Sequence, residues 1–229
     1  MPSRSGHPME RGSSFEHSEA PRSLSSTARV PEEAGKEEPV LLATRTSESV
    51  YTAMIPWDWS PDGRHLLYSV VGPDSGLWLL PLTGDRKPIK FLSAPGEQLH
   101  GNFSPNGKLV AYSSNESGQF EVKVQTAPLS DRQWVVSTAG GQMPRWRADG
   151  RELYYLSLDW KLMAVPVAPG PSFGAPRQLF QTYAPRGANP YRTHYVPSRD
   201  GQRFLINTLP DQPPVSITVM LNWTTGLKK

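Results

Sequence analysis

The chain of 229 residues contains no cysteine, which excludes disulfide bonds, thiolate metal sites and cysteine nucleophiles. No apolar run approaches the ~18 residues of a membrane-spanning helix, and the start of the chain lacks the apolar core of a signal peptide. Neither sign of charge dominates. The formal net charge is only +3 and the basic residues are scattered, which argues against a nucleic-acid-binding surface.

These absences leave the compartment open, because a cysteine-free domain folds equally well in the cytoplasm or the periplasm. Since no signal or membrane segment is visible, the literal expectation is the cytoplasm. A membrane span lost from an upstream segment would place it outside the cytoplasm instead.

Apolar residues are also scarce at the start of the chain. Residues 1–36 are rich in Ser, Pro, Gly, Arg and Glu, and Phe15 is their only aromatic residue. Such a segment cannot bury enough apolar surface to offset the entropy lost on ordering. We therefore expect a disordered tail over residues 1–36 and a folded region over residues 37–229.

A short turn phrase occurs four times in the folded region, as Ser60–Gly63, Ser104–Gly107, Arg147–Gly150 and Ser198–Gly201. Its glycines are 44, 43 and 51 residues apart. Asp or Asn followed by Gly suits a hairpin whose Gly takes a left-handed conformation. The residues expected to build these turns are Asp62, Gly63, Asn106, Gly107, Asp149, Gly150, Asp200 and Gly201.

Strand-like runs rich in β-branched and aromatic residues flank every turn, and no segment shows a helical period. Strand repeats of roughly 40–50 residues predict an all-β fold, a β-propeller with four recognisable four-stranded blades. The blades are expected at about 51–92, 98–137, 142–182 and 192–223, the last without its outer strand.

An orphan strand over residues 40–45 precedes the first blade. It either latches a closed four-bladed ring by pairing with the last blade, or belongs to a blade that this chain lacks, which makes the propeller partial. Open blade edges also leave a homodimer as an alternative.

The turn phrases resemble those of TolB-type, WD-repeat-like propellers. Four segments are similar to the C-terminal propeller of bacterial eukaryotic-like serine/threonine kinases: Asp58–Gly63, Tyr112–Gly118, Arg145–Gly150 and Leu221–Lys229. The resemblance covers about residues 40–229 and implies a sensor or scaffold module in bacterial signalling. Such propellers have about six or seven blades, so it also implies that these are the terminal blades, either as a stand-alone product or as a fragment without independent function.

The sequence offers little for catalysis. The Gly-rich loop, the H-R-D loop and the D-F-G motif of kinases are absent, as is the G-x-S-x-G elbow of serine hydrolases. The five histidines have no metal-binding spacing, and we expect neither a metal nor a cofactor. The prediction is a non-catalytic binding module, with a propeller hydrolase as the less favoured alternative.

A protein or peptide partner fits this prediction best, since recognition residues collect in loops on a rigid scaffold. Any ligand site is expected at the mouth of the central channel. Five polar residues lie in or beside the predicted inner strands there: His100, Asn102, Arg145, Arg147 and Arg192.

Overall fold

The computed structural model describes residues 27–33, 36–41, 53–128, 132–183, 190–208 and 218–220, with side chains for those from 53 to 208. Every regular element in these ranges is a β-strand. None of the described residues belongs to a helix long and apolar enough to cross a bilayer. The all-β propeller expected from the sequence is confirmed.

The first two blades are complete four-stranded antiparallel sheets in which strands pair in chain order. A two-stranded N-terminal sheet of β1 (Thr27–Glu33) and β2 (Lys36–Leu41) comes first in the chain. Blade 1 consists of β3 (Ala53–Trp59), β4 (His65–Val71), β5 (Gly76–Pro81) and β6 (Ile89–Leu92). Blade 2 consists of β7 (Gln98–Phe103), β8 (Leu109–Ser114), β9 (Glu121–Thr126) and β10 (Gln133–Val135).

Blade 3 has one strand more than expected, because a short strand pairs with the end of its third strand. Its elements are β11 (Gln142–Trp146), β12 (Glu152–Leu156), β13 (Lys161–Ala168), β14 (Ser172–Phe173) and β15 (Arg177–Gln181). Blade 4 has three described strands: β16 (Tyr195–Pro197), β17 (Phe204–Ile206) and β18 (Thr218–Met220).

The N-terminal segment differs from the expectation. β1 (Thr27–Glu33) lies within the stretch expected to be a disordered tail, and it pairs antiparallel with β2 (Lys36–Leu41). Two residues including Gly35 separate them in the sequence, a spacing that favours a hairpin. Only Val40 and Leu41 of the expected orphan strand are described, and their partner is β1 rather than the last blade. Residues 1–26 and 42–45 lie outside the described ranges.

The three repeated turns that begin with Ser share one hydrogen-bonding scheme, of which the turn of blade 3, beginning with Arg147, keeps the backbone closure. In the first, the Ser60 hydroxyl donates to Asp62 Oδ1 (2.5 Å) and accepts from the backbone N–H of His65 (2.9 Å). The backbone N–H of Gly63 closes the turn onto the Ser60 carbonyl (2.8 Å), with a φ of 70° for Gly63. Blades 2 and 4 repeat this scheme through Ser104 and Ser198. Each turn therefore fixes the angle between an inner strand and the second strand.

The blades pack in chain order, each burying apolar side chains against the next. Leu67 of blade 1 packs with Val110 of blade 2, and Leu109 of blade 2 lies in one cluster with Leu153 of blade 3. Tyr154 and Phe204 join blades 3 and 4, with ring centroids 5.0 Å apart. Full burial of each such side chain contributes about 1.5–3 kcal/mol, so the stack is held mainly by these sheet-to-sheet interfaces.

The two ends of the stack differ. Leu66, Tyr68 and Val70 point away from blade 2 and are buried, in a cluster to which no described residue of another blade belongs. At the other end, Val196 and Leu205 share the far face of blade 4 and are 55% and 50% exposed. The described part of the stack therefore ends in one covered and one open apolar face.

Candidate functional site

The inner strands carry the polar groups closest to the propeller axis, and irregularities in their pairing set the direction of those groups. β7 and β11 both contain a bulge, one between Leu99 and Asn102 and one between Gln142 and Arg145. Residues at matching places within these bulges, His100 and Met143, have positive φ angles of 57° and 59°. Such bulges re-aim side chains, and here they direct the bulged residues into the contacts between blades.

Asp58 and Asn102 occupy the same repeat position in blades 1 and 2, and each side chain accepts a hydrogen bond from the following blade. Asp58 Oδ2 accepts from the backbone N–H of Phe103 (2.8 Å) and from Asn102 Nδ2 (2.6 Å). Asn102 Oδ1 accepts from the backbone N–H of Trp146 (3.2 Å), and the Asn102 carbonyl accepts from the Trp146 indole (3.1 Å). These polar groups thus act as clasps between neighbouring inner strands.

The clasp is absent between blades 3 and 4, because the residue type changes on both sides. The acceptor position of blade 3 holds Arg145, which has only donors, and the donor position of blade 4 holds Pro197, which has no N–H. Arg145 instead donates to Thr193 Oγ1 (2.5 Å) and to the Pro144 carbonyl (3.1 Å).

Asp58 and Arg145 form the charged part of this region. Burial raises the pKa of the Asp58 carboxyl above its usual value, while hydrogen bonds from Phe103 and Trp59 and the positive charge of Arg145 act in the opposite direction. Burial likewise lowers the pKa of the Arg145 guanidinium. The pair supplies one carboxylate and one cation, both already hydrogen-bonded to the protein.

His100 is buried and held on both ring nitrogens. Its Nε2 lies 2.7 Å from the Pro190 carbonyl oxygen, so Nε2 carries the proton, and its Nδ1 accepts from the Ser113 hydroxyl (3.2 Å). Ser113 in turn accepts from the backbone N–H of Met143 (3.0 Å). Burial, with a further contribution from the nearby Arg145 charge, lowers the pKa of His100 to about 3. His100 is therefore a neutral structural link between blade 2 and the segment preceding blade 4, while Ser113 joins blade 2 to blade 3.

The five residues predicted to line the channel mouth do not form one site. His100, Asn102 and Arg145 lie close to the axis and are engaged in the contacts given above. Arg147 lies at the turn of blade 3, where it forms ion pairs with Asp149 (3.4 Å) and Glu152 (3.3 Å). Arg192 is exposed, in a segment preceding blade 4.

The described residues also hold no group of three or more His, Cys, Asp or Glu that could bind a metal ion.

A groove on the turn side of the propeller was not expected from the sequence. It has a volume of about 1030 Å³ and runs between the turn of blade 2, the turn of blade 3 and the segment that follows β13. Lys108 and Arg151 stand on its rim at the same position of successive turns, directly after Gly107 and Gly150. A cation following three of the four turn glycines was readable in the sequence, but the placement of two of these cations beside a groove depends on how two blades pack.

No protein-family model and no curated protein matches the sequence, whereas solved propellers match the structure. TolB from Acinetobacter baumannii superposes with a TM-score of 0.62 at 14% identity, over 83% of this chain and 44% of TolB. A puromycin-hydrolyzing peptidase from Mycobacterium tuberculosis has a TM-score of 0.59 at 17% identity, over 76% of this chain and 30% of the peptidase.

A putative 6-phosphogluconolactonase from Bacteroides uniformis gives a TM-score of 0.54 at 16% identity, over 80% of this chain and 57% of that protein. The chain thus spans well under two thirds of each of these three proteins, and identities this low establish the fold alone. That fold is a β-propeller of the TolB type.

Proposed function

We propose that this TolB-type propeller is a non-catalytic binding module that recognises a protein or a peptide. The observation that carries the proposal is the engagement of the axial polar groups. Asp58, His100 and Asn102 are the residue types that catalysis would require, and all three are engaged by the scaffold. Asp58 and Asn102 accept hydrogen bonds from the next blade, and His100 binds Ser113 of its own blade and the Pro190 carbonyl. Since these groups serve the scaffold, the surfaces left for recognition are the loops and turns at its ends.

The resemblance of the turn phrases to the propellers of bacterial serine/threonine kinases supports a role in signalling, as a sensor or scaffold. The names of the similar structures support more than one class, because they include TolB, a peptidase and a lactonase. Fold alone does not separate these classes. The arrangement of side chains favours binding.

Two measurements on the full chain test the proposal. Panning a phage library of random 12-residue peptides against the immobilised protein is expected to select sequences whose synthetic versions bind with micromolar affinity in fluorescence anisotropy. Ester, lactone and aminoacyl-anilide substrates are expected to be turned over no faster than in buffer. The absence of any peptide that binds would overturn peptide recognition. Turnover that disappears in Asp58→Asn or His100→Asn would establish an enzyme instead.

A further inference from the structure

We propose that the groove between blades 2 and 3 binds an extended acidic segment of a partner protein, through carboxylates that pair with Lys108 and Arg151. The inference rests on the proposed binding function and assigns that function a site and a ligand chemistry. The groove lies on the turn side of the propeller, and neither Asp58 nor His100 lines it.

The charges that line the groove favour an acidic ligand. The only carboxylate among the described residues that line it, Asp149, already faces Arg147 at 3.4 Å and accepts from the backbone N–H of Arg151 (3.0 Å). The side chains of Lys108 and Arg151 have no ion-pair partner among the described residues, and both are exposed. The groove therefore presents two unpaired positive charges, which acidic side chains would complement.

The apolar residues that line the groove favour a polypeptide over a free anion. Beside the two cations and the polar Ser104, Asn106 and Thr126, the lining includes five side chains that cannot form hydrogen bonds, namely Pro105, Leu109, Val167, Pro169 and Pro171. A free inorganic anion would use the cations alone. A polypeptide with apolar residues between its acidic ones would contact both the cations and the apolar side chains. The volume of about 1030 Å³ is at the upper end of ordinary ligand sites, which hold ~300–1,000 Å³.

The turns that form the walls of the groove are held in place by hydrogen bonds. Asn106 and Asp149 each accept the backbone N–H two residues on, at 3.1 and 3.0 Å, which fixes the turns that carry Lys108 and Arg151. Trp146 also lines the groove, and it is fixed by the hydrogen bond from its indole to the Asn102 carbonyl and by its packing against Phe173, with ring centroids 6.5 Å apart. A site whose walls are fixed before binding loses less entropy when a ligand arrives.

The test uses the 12-residue peptides selected on the full chain. They are expected to be enriched in Asp and Glu, to bind more weakly as salt increases, and to lose at least tenfold in affinity for the variant K108E/R151E. The matched control is Arg64→Glu. Arg64 follows the turn glycine of blade 1 with the same backbone contact, to Asp62 Oδ1 at 3.0 Å, but does not line the groove. This variant is expected to bind like the wild type.

Three results would overturn the inference. Peptides that bind K108E/R151E as tightly as the wild type would place recognition elsewhere and leave the binding function intact. Selected peptides without acidic enrichment would do the same. If no peptide binds the wild type at all, the site and the proposed function both fail. All three substituted positions are exposed, and equal thermal unfolding of the variants shows that a loss of binding is not a loss of fold.

Discussion

Asn102 binds Trp146 twice, once through its side-chain oxygen to the backbone N–H and once through its backbone carbonyl to the indole. Its amide nitrogen simultaneously donates to Asp58. One residue thus connects the inner strands of three consecutive blades, although its partners lie 44 residues away on either side. The first prediction follows from this position.

Replacing Asn102 with Ala is expected to lower the free energy of unfolding by about 1–3 kcal/mol. The substitution leaves the backbone N–H of Trp146 without its acceptor and Asp58 without its side-chain donor, and unsatisfied buried groups cost that much. Urea denaturation followed by tryptophan fluorescence measures the loss. An unchanged denaturation midpoint would contradict the role of Asn102 as a clasp.

The variant Asn102→Asp adds a negative charge while it keeps the shape of the side chain almost unchanged. It places a second carboxylate against Asp58, so the two must share a proton and the pKa of the pair rises. An acid whose pKa is higher in the folded than in the unfolded state binds protons more tightly when folded. We therefore expect Asn102→Asp to gain stability relative to the wild type as the pH falls from 7 to 5. A constant difference across this range would show that the two carboxylates do not interact.

His100 is expected to make the native state sensitive to acid. Its pKa is about 3 in the folded protein against an ordinary value of 6.5, so below pH 6.5 the unfolded chain takes up a proton that the folded one excludes. From this group alone, stability falls by about 1.4 kcal/mol per pH unit between pH 6.5 and about 3. Asp58 acts with the opposite sign, because burial raises its pKa.

The variant His100→Asn tests this dependence. Asn tolerates the positive φ of position 100 and does not titrate. It is expected to be less stable than the wild type at pH 7 but to lose less stability between pH 6.5 and 4.5, as measured by urea denaturation at several pH values. Parallel pH profiles for the two proteins would mean that His100 does not control acid sensitivity.

The turn glycines provide a matched pair for a third prediction. Gly63 and Gly201 have nearly equal φ angles of 70° and 68°. A Cβ at position 63 would meet nothing within 4 Å, whereas at position 201 it would lie 2.2 Å from the Tyr154 hydroxyl. Gly63→Ala is therefore expected to lower the free energy of unfolding by about 1 kcal/mol, through backbone strain alone. Gly201→Ala is expected to lower it by clearly more, because its Cβ also meets the Tyr154 hydroxyl. Equal melting temperatures would show that the Tyr154 contact does not matter.

The open face of blade 4 leads to a fourth prediction. Because the far face of blade 1 is already buried, we expect self-association to join two blade 4 faces symmetrically through Val196 and Leu205. Light scattering is expected to show a dimer at tens of micromolar protein, and V196K/L205E a monomer. Leu158→Glu, which alters an exposed apolar residue of blade 3, is the control. A wild-type monomer at these concentrations would refute the prediction.

The blades were predictable because their signals are local. The turn Ser60–Gly63 and its neighbouring strands are encoded within a dozen residues, and the Ser hydroxyl, the Asp or Asn and the Gly act on one another directly. The strand Thr27–Glu33 was missed because its composition is that of a polar tail. What forms it is its pairing with Lys36–Leu41, which composition does not report.

The site was less predictable, because its chemistry is set between blades. The sequence placed His100, Asn102 and Arg145 near the axis but did not show that each is engaged by residues 44 to 90 positions distant. The same limit applies to the groove. Lys108 and Arg151 are visible as cations after a glycine, yet only the packing of blade 2 on blade 3 brings their turns to one cavity.

The presence of Arg145 and Pro197 at the third junction also predicts the order in which the blades unfold. At the first two junctions an inner-strand side chain accepts from a backbone N–H of the next inner strand, whereas the third has, among the described residues, only side-chain donors, from Arg145 to Thr193 and from the Tyr195 hydroxyl to the Met143 carbonyl. The far face of blade 4 is also open at Val196 and Leu205. Amide protons of β16 and β17 should therefore exchange with deuterium faster than those of β8 and β12, as the last blade detaches before the others unfold. The detached blade would expose Tyr195 and Phe204, which makes the junction a preferred point for proteolytic cleavage.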